Sequence, residues 1–335
     1  MKLSIIIPSY NEDNVIKITY KELKRILEQD SLDQHYTYEL IFIDDGSKDN
    51  TLDVIKQLEK SDAHVKFISF TRNFGKEAGM LAGLTYSTGD AIILIDADLQ
   101  HPPELICDMV KYYYNGYNQV IAKRNRVGDP KTTTVFSKLY YKIVNHFVDI
   151  RLTDGIGDFR LLSRQAVNAL LSMKEYNRFS KGMFSWIGFD EKIIEYKNQN
   201  RVCGNTKWNF KQLIQYGMDG ILSFNNKPLR SILYLGFIMI ILGLSYILYS
   251  LIRIMLVGID MPGYFTTITA ILVIGGIQLL SLGVIGEYIG RIYYEVKKRP
   301  HFLIKETNIS KNIEKNTQKD IKISKCNKQS IGGRL

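Results

Sequence analysis

Ala91-Ile92-Ile93-Leu94-Ile95-Asp96-Ala97-Asp98-Leu99-Gln100-His101-Pro102-Pro103-Glu104 decides how the chain folds. The apolar run is too short for a helix and reads as a buried strand. It ends on two carboxylates one residue apart. Two prolines then fix the loop and can open a following helix. A pair so spaced at a strand end can hold a hard divalent cation, because Mg2+ and Mn2+ favour oxygen ligands and bridge protein to phosphates. A bare Asp-x-Asp is also common in surface turns, so the strand before it and the prolines after it carry the assignment. His101 reads either as a further ligand or as a support of the turn.

Outward from this stretch the chain alternates strand and helix. Strands are expected at Leu3–Ile7, Glu39–Ile43, Val65–Ser69 and Ala91–Ile95, and helices at Asn14–Glu28, Thr51–Ser61 and Lys76–Ser87. Short β-branched runs with turn residues at their carboxyl ends predict an α/β fold with a Rossmann-like, mostly parallel sheet covered on both faces. Such sheets bind ligands at the carboxyl ends of their strands. Those ends carry Pro8-Ser9-Tyr10-Asn11-Glu12, Asp44-Asp45-Gly46-Ser47 and Asp96-Ala97-Asp98. Gly46 permits a tight turn, and Ser47 or Asp49 suits a helix cap. Capping leaves two adjacent carboxylates unexplained, and an acceptor there fits a nucleobase imide or a ribose hydroxyl. No Gly-x-Gly-x-x-Gly follows the first strand, which excludes a nicotinamide dehydrogenase.

Beyond Glu104–Gly116 (helix) and Gln119–Ala122 (strand), residues 134–148 keep helical apolar spacing through Phe136, Leu139, Tyr140, Ile143, Val144 and Phe147. That face suits either a bilayer surface or the protein's own core. Residues 210–223 invite the same two readings. Ser231–Ile252 and Phe265–Ile285 contain no charge, and each is near the roughly 20 residues that span a hydrocarbon core. Lys227 and Arg230 precede the first; Arg291, Lys297, Lys298 and Arg299 follow the second. The positive-inside rule then puts the α/β domain and both termini in the cytoplasm of a two-span membrane protein. Glu287 and Arg291 form an i,i+4 pair, and Tyr288, Tyr293 and Tyr294 fit an interfacial belt. Gly236, Gly243, Gly275, Gly276 and Gly283 allow helix packing in a homo-oligomer, a dimer or a tetramer. The expected divisions are a catalytic domain at 1–228, a helical hairpin at 229–290 and a basic tail at 291–335, disordered from about 308.

The 335 residues carry a net charge of +10. From Arg291 to Arg334, twelve lysines and arginines stand against Glu295, Glu306, Glu314 and Asp320. A basic tail beside an apolar hairpin suits anionic membrane lipids. No basic face interleaved with stacking aromatics appears in the soluble part, so nucleic acid is not an expected partner. Cys107, Cys203 and Cys326 are few and far apart, which argues against a disulfide framework or a zinc site.

These blocks, with Arg72-Asn73-Phe74-Gly75-Lys76, Gly157-Asp158-Phe159-Arg160-Leu161, Arg201-Val202-Cys203-Gly204-Asn205-Thr206-Lys207-Trp208 and Gly286-Glu287-Tyr288-Ile289-Gly290-Arg291, resemble family 2 glycosyltransferases of the GT-A fold. The resemblance is to the polyprenyl-phosphate branch, which includes dolichyl-phosphate mannose synthases and bactoprenol glucosyltransferases. It covers residues 1 to about 303. It implies inverting transfer of a sugar from a nucleotide diphosphate carrier to undecaprenyl or another polyisoprenyl phosphate, for cell-envelope glycans. UDP-glucose or UDP-N-acetylglucosamine is the favoured donor and GDP-mannose the alternative. A silent scaffold or flippase partner is the reading from another class, and the intact acidic pairs oppose it.

Carried over by position, the resemblance implies a nucleotide-sugar pocket of Pro8, Tyr10, Glu12, Ile43, Asp45, Asp96, Ala97, Asp98, Gln100 and Arg124. It implies Mg2+ or Mn2+ on Asp96, Asp98 and Gln100. Arg201, Thr206 and Lys207 would bind the acceptor phosphate, with Thr206 where the family commonly has Ser. Asp158 sits where the family places an acidic residue near donor sugar and acceptor; capping the turn at Gly157 is its other reading. The catalytic set implied is Asp96, Asp98, Asp158, Arg201 and Lys207.

Overall fold

The computed structural model describes residues 1–125, 155–197, 227–257 and 263–309, together with Asn145 and Thr153. The helices expected at 134–148 (apart from Asn145) and 210–223, along with Arg201, Thr206, Lys207 and the chain from 310 onward, lie outside the described residues.

The alternation read from the sequence is present. β1 (Lys2–Ser9), α1 (Asp13–Asp33), β2 (Thr37–Asp44), α2 (Thr51–Ser61), β3 (Val65–Phe70), α3 (Lys76–Tyr86), β4 (Ala91–Leu94) and α4 (Leu105–Tyr114) follow one another. Then come β5 (Gln119–Asn125), β6 (Ile156–Ser163), α5 (Arg164–Ser172), α6 (Ser180–Trp186), β7 (Glu191–Lys197), α7 (Lys227–Val257), α8 (Tyr264–Lys297) and β8 (Ile304–Thr307). One eight-stranded sheet has the order β7-β5-β6-β4-β1-β2-β3-β8. β1, β2, β3 and β4 run parallel to their neighbours among themselves, as do β5 and β7, whereas β6 and β8 run against theirs.

The central strands read as unbroken apolar runs because both faces are covered. Ile5, Ile7, Leu40, Phe42 and Ile93 enter one core with α1, α2 and α4. Ile6, Ile41, Ile43, Ile92 and Leu94 enter the other, under α3, α5 and α6. Parallel direction brings the carboxyl ends of β1, β2 and β4 to one edge of the sheet. β6 is antiparallel to β4, with Leu94 opposite Arg160, so its beginning arrives where β4 ends. Asp158 thereby meets Asp96.

The expected tail is corrected by β8. Residues 304–307 are not tail but the last strand of the sheet, antiparallel to β3. An open β3 would present unpaired backbone groups, and this segment satisfies them. The Asn308 side chain accepts from Phe67 N–H at 2.8 Å and donates to the Val65 carbonyl at 3.2 Å. Phe302 stacks on Phe70 with ring centroids 5.0 Å apart, and Lys56 pairs with Glu306 at 2.7 Å.

α7 and α8 contain 31 and 34 residues. Among the described residues one stretch, Val273–Lys297, is long and apolar enough to cross a membrane, by length and composition. In α7 the described apolar stretch is shorter, Tyr234–Tyr246. One candidate span is therefore evident where the sequence predicts two.

Candidate active site

The loops after β1 and β2 lock together through main-chain and short side-chain groups. Asn11 N–H donates to Ser47 Oγ at 3.0 Å, and Lys48 N–H donates to Asn11 Oδ1 at 2.9 Å. Glu12 N–H donates to Thr51 Oγ1 at 2.8 Å, and Asp45 N–H to the Ser9 carbonyl at 3.0 Å. Asn11 holds φ +52°, a left-handed conformation that Asn tolerates better than most residues. Asp49 accepts from Thr51 N–H at 3.0 Å and so serves the start of α2, while Ser47 serves the β1 loop.

The paired carboxylates Asp44 and Asp45 are both buried. Asp44 accepts from Ser69 Oγ at 2.7 Å and Ser47 N–H at 3.1 Å. Asp45 takes Phe74 N–H at 2.7 Å on one oxygen and Gly75 N–H at 2.8 Å on the other. It thus grips the loop that leads into α3. Gly46 lets that loop come close: it sits at φ +66°, and a Cβ there would lie 2.4 Å from the Arg72 carbonyl carbon. Burial pushes the Asp45 carboxyl up, partly offset by the two amides. Ile43 is fully buried beneath α3, and Pro8, partly exposed, packs towards Gly79. Tyr10 and Glu12 lie at the β1 carboxyl end, on the same edge.

The turn after β4 is held from below. Thr19 Oγ1, on α1, donates to the Ala97 carbonyl at 2.6 Å, and Gln100 N–H donates to Asp98 Oδ1 at 3.1 Å. Leu99 sits at φ +56°, a strained choice for a bulky residue of the kind that gathers at functional sites. His101 Nδ1 lies 2.7 Å from the Tyr196 hydroxyl, and its Nε2 is 3.6 Å from Asp96 Oδ2. His101 is therefore a support of the turn, wedged between Phe159 and Tyr196. Arg124 is paired in register with Tyr196, which puts it on the Asp96 side of the sheet edge. Its N–H donates to the Gly155 carbonyl at 2.9 Å.

The centre of the cleft is a residue whose role the sequence did not reveal. Lys76 Nζ lies 2.7 and 2.9 Å from the two oxygens of Asp96 and 2.7 Å from Asp158 Oδ2. The Asp96, Asp158 and Lys76 side chains are 30%, 18% and 40% exposed at the base of this cleft. Burial disfavours charge on Asp96, but the Lys76 ammonium and then His101 outweigh it and hold the carboxyl well below the usual range. Asp158 is likewise held low, with Lys76 prevailing over burial and over the repulsion of Asp96. Lys76 is raised because Asp158 and Asp96 together overcome its burial. Behind it, burial pushes Glu77 up to about 7 although Ser180 hydrogen-bonds to both of its oxygens. Lys181 is lowered by burial, against the pull of Asp158.

Among the described residues no cluster of three or more His, Cys, Asp or Glu could hold a metal by itself. Asp96 and Asp98 supply only hard oxygens, which fits a cation that keeps waters and completes its shell on substrate phosphates. The sheet edge thus joins Asp96, Asp98, Asp158 and Arg124, and adds Lys76. The main signal for Lys76 was its place in the Arg72–Lys76 block, where a lysine at a helix start reads as a solvated charge.

The mostly parallel sheet, with ionised carboxylates gathered at its strand ends, has the GT-A-like α/β architecture expected from the sequence. Residues 4–171 match the profile described as Glycosyl transferase family 2, and residues 227–292 match the GtrB C-terminal hairpin. The chain belongs to glycosyl transferase family 2, and it is a glycosyltransferase. It is 56% identical over 307 residues to CsbB of Bacillus subtilis (strain 168), a glycosyltransferase by provisional name, covering 92% of each chain. It is 40% identical over 306 residues to the prophage bactoprenol glucosyl transferase homolog of Escherichia coli (strain K12), across 91% of this chain and 99% of that one. It is 39% identical to the SfII prophage-derived bactoprenol glucosyl transferase of Shigella flexneri, across 92% and 99% respectively.

Proposed function

We propose that the chain transfers a monosaccharide, with inversion, from a nucleoside diphosphate sugar to a polyisoprenyl phosphate at the cytoplasmic face of a membrane. Undecaprenyl phosphate is the acceptor favoured, and UDP-glucose or UDP-N-acetylglucosamine the donor. One observation carries the reading: the Asp96–Lys76–Asp158 cleft is continuous in sequence with an apolar two-helix segment, and relatives alike over nearly their full length are named for bactoprenol transfer.

The chemistry matches the charges in the cleft. A phosphate monoester has its second pKa near ~6 and is already an anion at neutral pH, so its oxygen can attack the anomeric carbon without a general base. Carboxylates held below their usual range are poor bases, which suits a site that needs none. Asp158, kept ionised, is an acceptor only and can orient sugar hydroxyls. Arg124, Tyr10 and Glu12 flank the edge where the nucleotide would lie, and Asp45 supports that edge through the Phe74–Gly75 main chain. Asp96 and Asp98, with Gln100 in the same turn, would hold Mg2+ or Mn2+. That cation, when bound, supplies positive charge to the departing diphosphate. Arg201 would grip the acceptor phosphate through two parallel N–H bonds, with Lys207 adding a point charge and Thr206 a hydroxyl.

Two membrane crossings by α7 and α8 are part of the proposal, with both ends of the hairpin in the cytoplasm, as is a homo-oligomer built on the glycine-bearing helix faces. The decisive experiment incubates membranes containing the chain with labelled nucleotide sugars and undecaprenyl phosphate. UDP-glucose or UDP-N-acetylglucosamine should label the lipid fraction. A chain that labels no prenyl carrier from any donor is not this enzyme.

A further inference from the structure

Lys76 opens α3, and its ammonium closes the cleft from one side. Three carboxylate oxygens lie within 2.9 Å of Nζ: both of Asp96 and one of Asp158. An ammonium has three hydrogens, so this arrangement commits all of its donors and engages one acceptor site on each oxygen of Asp96. α3 does not need this contact to be anchored. The amides of Phe74 and Gly75 are held by Asp45, and Glu77 is held by Ser180. The lysine is directed at Asp96 and Asp158 for another purpose.

We infer that Lys76 is a built-in counter-ion that keeps Asp96 from taking a divalent cation until a nucleotide diphosphate arrives, making metal binding conditional on donor. The inference rests on the reading that Asp96 and Asp98 hold the metal. Each Asp96 oxygen keeps a spare lone pair, but the Lys76 ammonium already neutralises the charge that a cation would draw on. A dication beside a retained ammonium also meets like-charge repulsion, with the Lys181 charge close behind. The diphosphate supplies the anionic charge that removes this conflict. Lys76 then keeps Asp158 and has donors to offer the incoming anion. The apparent affinity for metal alone is reduced by the fraction of molecules in which Asp96 is free.

The test titrates Mn2+ into the full-length protein in detergent micelles and follows the unbound ion by electron paramagnetic resonance, with and without UDP. The wild type should bind Mn2+ weakly alone and tightly with UDP. Lys76→Met should bind Mn2+ without UDP about tenfold more tightly than wild type, or better, as expected if Asp96 is free in about one wild-type molecule in ten. Lys76→Gln should move in the same direction, and serves if the methionine variant does not fold. Asp98→Ala, lacking a ligand, should lose the site in every condition. If wild type and Lys76 variants bind Mn2+ equally without UDP, while all bind it with UDP, the counter-ion role is wrong and the metal assignment stands. If none binds Mn2+ even with UDP, the metal assignment falls and the inference falls with it.

Discussion

At the scale of single residues, the carboxylates at the strand ends fall into two kinds, buried ones that hold loops and partly exposed ones that face the cleft. Asp44 and Asp45 accept two bonds each from neighbouring loops and are buried, whereas Asp96, Asp98 and Asp158 keep contact with solvent. Asp98→Ala should lower transfer about a hundredfold or more, the scale of losing one preorganised electrostatic contact. Its thermal midpoint should stay near wild type, since Asp98 is partly exposed and its bond from Gln100 N–H closes a local turn. A variant that keeps full rate, assayed as labelled prenyl lipid, would remove Asp98 from the site. Glu77 gives a pH signature. Its carboxyl has its usual value of 4.5 raised to about 7 in the fold, first by burial and also by Asp158, with Ser180 and Arg178 opposing. The folded state therefore binds more protons than the unfolded one between those values, and the charge penalty grows as pH rises through that window. Glu77→Gln should leave the midpoint nearly unchanged at pH 5 and raise it by about 2–4 °C relative to wild type at pH 8. A difference independent of pH would show that Glu77 is not held neutral. The sequence announced Asp96, Asp98 and Asp158 by their blocks, but two adjacent aspartates look alike whether they bind a ligand or local amides. Lys76 was hidden for a related reason: its partners are 20 and 82 positions away, and only the antiparallel entry of β6 brings the second one in.

At the scale of elements, the strands of the parallel half were legible because burial on both faces writes them as uninterrupted aliphatic runs. β8 was not. It has four residues, Ile304–Thr307, three partly buried and one exposed, at a sheet edge, and stands next to a Lys/Asn-rich stretch whose composition suggests no order. What fixes it is tertiary: an open β3 edge, the Phe302–Phe70 stack, and the two-sided amide of Asn308. Asn308→Ala removes a donor and an acceptor that complete β3 and should cost about 1–3 kcal/mol. Asn308→Asp keeps the acceptor but places a carboxylate against the Val65 carbonyl, so it should fall on the destabilised side as well. Thermal unfolding of both variants checks this. Midpoints indistinguishable from wild type would mean that β8 adds nothing to the stability of the sheet.

At the scale of the whole molecule, β8 constrains how the chain meets a membrane. β3 precedes the helical hairpin and β8 follows it, yet the two strands are hydrogen-bonded in one sheet. A chain that leaves this domain along α7 and returns to it along α8 makes either no crossings or two; a single crossing would put β8 and β3 on opposite sides. Helices of 31 and 34 residues are roughly 46 and 51 Å long at 1.5 Å per residue, against a hydrocarbon core of about 30 Å. Each has length to cross and to emerge by a turn or more at both ends. At the return, Tyr176 N–H donates to Glu295 at 2.6 Å and its ring stacks on Tyr294, tying the end of α8 to the domain. If Val273–Lys297 crosses, parity requires α7 to cross as well, and residues 258–262 must lie on the far side. In a background carrying Cys107→Ala, Cys203→Ala and Cys326→Ala, Asp260→Cys should react with a membrane-impermeant maleimide in intact cells. Ser172→Cys, exposed on the domain, should react only after permeabilisation. Labelling of both positions from outside, or of neither until the membrane is opened, would contradict a hairpin that passes through the bilayer and back.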